Sequence, residues 1–325
     1  MNKFLTLSIF FLGLLCSCSN CDLQENEPAS DVAGMQQNMR SSFYTPEQIA
    51  FLERLDQISD SIAENVISAD EPASITTRAA SIDMRAVSQA DMRGAYEGFK
   101  FGWRQGKGIF GRFATATLNA LISSVCYSAS EISRQLTGIL ASAPPYSINT
   151  IEGALAVQWT ESNVNNRWRR ICTSDPELNV KGAEEELKIA LLHNLTLEEL
   201  SRGVVYPTAT IKSLFSDDQL TYFSSRKFET YFNASPKLAA GTVSFSSYLT
   251  IDPFPYETEV FNAYVAGVKK FSTTDQALFL SQTKALCKQY VEEVSTSDLI
   301  NADASSSLIS SFFVAPLSIK HWTSQ

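Results

Sequence analysis

Residues 94–128 read GAYEGFKFGWRQGKGIFGRFATATLNALISSVCYS. Gly94, Gly98, Gly102 and Gly106 recur at every fourth position, and Gly108 and Gly111 follow. Positions four apart on an α-helix line one ridge, so this ridge carries no side chains and another backbone can come close to it. Each glycine costs roughly 1 kcal/mol of helix propensity against alanine, which close packing must offset. The partner follows in the chain. Ala114, Thr117, Ala120, Ser124 and Ser128 are small residues in a segment that also carries Phe113, Leu118, Leu121, Ile122 and Val125. Gly106-Lys107-Gly108 is the natural turn between them. The spacing predicts a tight antiparallel helical hairpin over 83–106 and 109–138.

Helical signals dominate on both sides of the hairpin. Upstream, Thr45-Pro46-Glu47-Gln48 places a capping threonine, a proline at the first helical position and a glutamine at the third. Leu52, Leu55, Ile58, Ile62 and Val66 then recur on one apolar face. A linker over 68–81 joins that helix to the hairpin. Downstream, Asn149 with Glu152, Thr196 with Glu199 and Ser216 with Gln219 have capping-box spacing. Asp175-Pro176-Glu177 resembles a further helix entry, into Leu187, Leu191 and Leu195. Helical periodicity returns over 256–271 and 274–294, and a last helix starts near Asp303 and must bend or stop at Pro316. Only Val243-Ser244-Phe245-Ser246, extended to Ile251, alternates like a strand, and Val204-Val205-Tyr206 is its one short partner. The fold class is mainly α, a multi-helix bundle with a glycine-ridge hairpin and at most a small β element.

The amino terminus directs the chain out of the cytoplasm. Lys3 precedes the apolar run Phe4 to Leu15, which is too short to span a bilayer and has the length of a signal-peptide core. Leu15-Cys16-Ser17-Cys18 looks like a bacterial lipobox, cleaved between Ser17 and Cys18 with a diacylglycerol attached to the Cys18 sulfur. Several acyl chains on one residue anchor a protein durably, where a single chain is marginal. The layout predicted is a signal peptide over 1–17, an acidic tether over 18–44, an N-terminal helical region over 45–142 and a C-terminal helical region over 143–325 packed on it. The lipid bilayer is one partner, through acylated Cys18. Localisation is the outer membrane, facing either the periplasm or the cell surface.

The formal net charge is −9, and removing Lys3 with the leader makes it one unit more negative. That balance argues against nucleic acid and against an electrostatic hold on anionic lipid. After processing, Cys21, Cys126, Cys172 and Cys287 remain besides Cys18. Their spacing excludes paired zinc-ligand motifs and leaves three disulfide connectivities or plain buried thiols.

Three segments together resemble a group of uncharacterised exported proteins and lipoproteins of Bacteroidota. They are Ala90-Asp91-Met92-Arg93-Gly94-Ala95, Leu191-Leu192-His193-Asn194, and Val314-Ala315-Pro316-Leu317-Ser318 with Trp322. The resemblance spans nearly all the mature chain and departs from the group at the bulky Phe99, Phe101 and Trp103. It implies an envelope location and the same helical layout, and carries over no catalytic residue.

His193 is the candidate for chemistry, one of two histidines, with Asn194, Glu198 and Glu199 nearby. It suits a general base of a hydrolase or lyase with a dispersed acidic site. The competing reading uses Thr196 as a cap and puts His193 in the last turn of the preceding helix, bonding free carbonyls. Glu184-Glu185-Glu186 reads as a solvated helix start. No metal-ligand constellation, phosphate loop, nucleophile elbow or dinucleotide context occurs, so no metal and no cofactor are expected. Trp103, Trp159, Trp168 and Trp322 suit a helical core better than a ligand cleft. A bilayer-inserting use of the ridge is opposed by Arg104, Arg112 and Asn119. The function expected is a non-enzymatic binding or assembly module whose partner is an envelope protein or a small ligand.

Overall fold

In the computed structural model, described over residues 43–64, 83–105, 108–140, 142–144, 146–158, 161–200, 202–204, 206–207, 217–249, 251–271 and 275–323, helices account for almost all regular structure. They are α1 (Pro46–Glu64), α2 (Met84–Gln105), α3 (Gly108–Thr137), α4 (Ile148–Gln158), α5 (Glu161–Ser174) and α6 (Glu184–Leu200). The series continues with α7 (Asp217–Phe223), α8 (Arg226–Asn233), α9 (Ser235–Ala239), α10 (Pro255–Lys270), α11 (Gln276–Thr296) and α12 (Ala302–Thr323). There is no strand among the described residues, so the chain is a mainly α bundle. Residues 46–325 pack as one unit.

The hairpin is α2 and α3, the most extensive helix pair in the molecule. A β-carbon added at Gly94 would lie 2.6 Å from the Ser123 carbonyl oxygen, and one at Gly98 2.6 Å from that of Asn119. At Gly102 it would lie 2.7 Å from the Ala116 α-carbon. The ridge therefore touches the backbone of α3, and the pairing 94 with 123, 98 with 119 and 102 with 116 makes the helices antiparallel. Gly106 and the 106–107 turn lie outside the described residues.

The face of α3 that receives the ridge differs from the expected one. It is formed by Thr115, Ala116, Asn119, Ser123 and Ser124, whereas Thr117 and Ala120 turn toward α12. The reason is hydrogen bonding as much as size. Asn119 Nδ2 donates to the Gly98 carbonyl at 2.6 Å, and the Ser124 hydroxyl donates to the Asp91 carbonyl at 2.8 Å. Both bonds require bare backbone on α2.

α12 packs on α2, α6 and α11. Phe312, Phe313, Val314, Ala315, Leu317, Ser318 and Ile319 are each at most 3 % exposed, so this helix is buried on all sides. It is the one described helix long and apolar enough to cross a membrane, and 78 % of its apolar window is buried in the protein. Pro316 does not stop it. Proline removes the amide that would bond the carbonyl four residues earlier, Phe312. The Tyr264 hydroxyl donates to that carbonyl at 3.0 Å instead.

Other expectations shift at helix ends. Ser147, not Asn149, caps α4, accepting from the Thr150 amide at 3.2 Å. Pro176–Leu178 is a separate 3-10 turn, and α6 starts only after Gly182, whose φ of +85° ends the turn. Phe245–Ser247 is a 3-10 turn capped by Ser244, so the expected strand does not form. Its alternation placed Phe245 on α8 and left the serines in solvent, which a single turn achieves as well. The 68–81 linker, Ser17, Cys18, Cys21 and Trp159 lie outside the described residues. Cys126, Cys172 and Cys287 are free thiols. Burial, eased by the Ser235 hydroxyl 3.0 Å away, pushes the Cys126 thiol up to about 12.

Candidate functional site

α6 runs unbroken through Thr196, whose hydroxyl donates back to the Leu192 carbonyl at 2.7 Å. The expected helix end at His193 is therefore wrong. A threonine hydroxyl inside a helix satisfies itself on the preceding turn, so its capping spacing carries no boundary here. His193 sits mid-helix and fully buried, with no free carbonyl to bond.

It faces α2 and α12 instead. Asn194 Nδ2 donates to the Leu317 carbonyl at 2.7 Å, which turns its Oδ1 to His193 Nδ1 at 2.9 Å. Because that oxygen only accepts, Nδ1 carries a proton. On the other side His193 Nε2 lies 3.0 Å from Asp91 Oδ1, and neither side chain is exposed. The approach is close but not aligned as a hydrogen bond, since both atoms otherwise lack a partner. The second carboxylate oxygen of Asp91 accepts from the Ser318 hydroxyl of α12.

His321, one turn beyond Ser318, joins the cluster. Burial and then the neighbouring His193 pull its pKa down to about 4, with Asp91 opposing, so it is neutral at physiological pH. Asp91, His193, Asn194, Leu317 and Ser318 come from the three short segments singled out in the sequence, and the fold gathers them into one contact between α2, α6 and α12.

The chemistry available to this arrangement is limited by its order. A serine nucleophile needs the imidazole on its hydroxyl, with the carboxylate behind the ring. Here the carboxylate separates serine from histidine. The adjoining cavity, between Ala120, Ser124, His193, Ser307 and Ser311, holds about 20 Å³, the room of a water molecule. Glu198 and Glu199, grouped with His193 by sequence distance, point elsewhere, because five and six residues rotate them well around the helix. Glu198 pairs with Arg167 of α5. Glu199 is buried and accepts from Gln158 at 2.8 Å, Arg202 at 2.6 Å and Tyr206 at 2.7 Å. Glu184, Glu185 and Glu186 do form the acidic first turn of α6. Trp103 is buried against Phe99 and Phe254, while the side chain of Trp322 lies outside the described residues.

Sequence reasoning missed several buried charges. Asp91 precedes the glycine ridge by three residues, on the side turned to its neighbours, and that helical position was the available signal. Lys100, 4 % exposed, donates to Asp252 at 2.9 Å and to Thr258 at 3.0 Å, and sits over the Tyr96 and Phe245 rings. Asp175 receives both Lys284 and Lys320; burial opposes its charge, but those lysines and Ser174 hold the carboxyl down to about 2. Glu152 is buried with Oε1 unpartnered among the described residues, and burial pushes its carboxyl up to about 7. No group of three or more His, Cys, Asp or Glu is placed to hold a metal ion among the described residues. Comparison with known protein families, with characterised proteins and with solved structures returned no match for this chain.

Proposed function

We propose that this chain is an envelope lipoprotein, anchored to the bilayer through acylated Cys18, whose helical body acts as a non-enzymatic binding or assembly module. The observation that carries the reading is the use made of its reactive residues. Asp91, His193, Asn194 and Ser318 are consumed in a buried contact between three helices, and the cavity that adjoins them among the described residues has the room of a water molecule. The lipobox Leu15-Cys16-Ser17-Cys18 supplies the anchor, and burial of α12 leaves that helix occupied inside the body.

Mass spectrometry of the membrane-purified protein tests the anchor. A diacylglyceryl modification on Cys18 is expected, together with release of a Cys18→Ala form from membranes. An unmodified Cys18 would remove it. Crosslinking in intact envelopes tests the module and should recover a defined partner. Turnover of a defined substrate, abolished in a folded His193→Gln form, would replace the module with an enzyme.

A further inference from the structure

We draw no further inference here: the strongest candidate, the buried pair of Asp91 Oδ1 and His193 Nε2 where α2, α6 and α12 meet, belongs to the site already described, and no third ligand is placed beside it to hold a metal ion among the described residues.

Discussion

The Tyr264 hydroxyl stands in for the amide that Pro316 cannot supply. It donates at 3.0 Å to the Phe312 carbonyl, the acceptor left open four residues before the proline, and both groups are buried. A side chain from α10 thus lets α12 continue through its proline inside the core. Tyr264→Phe should cost about 1–3 kcal/mol, the penalty for a buried acceptor without a donor. Pro316→Ala restores the missing amide, so the same change in that background should cost clearly less. Urea unfolding of the four proteins in the cycle measures the difference, and equal costs in both backgrounds would reject the relationship.

Gly98 is in contact with backbone, so no side-chain motion can accommodate a larger residue there. Gly98→Ala should lower stability by about 1–3 kcal/mol by overpacking, even though alanine is the better helix former by roughly 1 kcal/mol. Gly94→Ala should behave alike, since its β-carbon would meet the Ser123 carbonyl oxygen at 2.6 Å. A melting temperature unchanged or raised in either variant would contradict the packing.

Asp91 serves α6 and α12 at once, so its loss leaves two buried partners unsatisfied. Asp91→Ala should destabilise by about 3–5 kcal/mol, as expected for breaking a buried charged contact from one side. Ser318→Ala alone should cost about 1 kcal/mol, and the double variant less than the sum, because both remove one bond. Additive losses in denaturant unfolding would mean that serine and aspartate act separately.

Glu152 predicts a specific pH dependence. Its carboxyl is neutral in the folded protein up to about 7, against 4.5 as the ordinary value, because burial penalises the charge. The folded state therefore holds the extra proton between these values. Stability from this group is complete below about 4.5 and is lost as pH rises through about 7. Glu152→Gln should flatten that decline and be more stable than the parent at pH 8 by about 1–3 kcal/mol. Parallel stability–pH curves for the two proteins would refute it.

His321 works in the opposite direction. Its folded pKa of about 4 lies below the ordinary 6.5, so the unfolded chain takes up the proton first. Its contribution is complete above about 6.5 and lost as pH falls toward 4. His321→Asn should reduce the slope in that window whatever its effect at neutral pH. Chemical denaturation at half-unit steps resolves the slope, and an unaltered slope counts against a buried neutral imidazole.

The helical class and the hairpin were readable because they rest on local regularities. Glycines every fourth residue specify a ridge wherever the helix sits, and α10 and α11 follow three- and four-residue apolar spacing. Pro46 starts its helix because a fixed φ and a missing amide suit a first turn in any context. What the chain order could not convey was which polar residues meet. The capping spacing of Thr196 is identical whether its hydroxyl serves the next turn or the previous one. Only packing of α2 and α12 on α6 selects the second, by burying His193 between Asp91 and Asn194.

Local spacing, then, determined that this protein is helical and where its tightest helix pair lies. Tertiary structure alone decided that Asp91, 102 positions from His193, is its partner, and that α12 survives Pro316. The physical reason is range. Helix periodicity and backbone strain act within a few residues, whereas desolvation and hydrogen-bond satisfaction depend on neighbours that only the folded chain supplies.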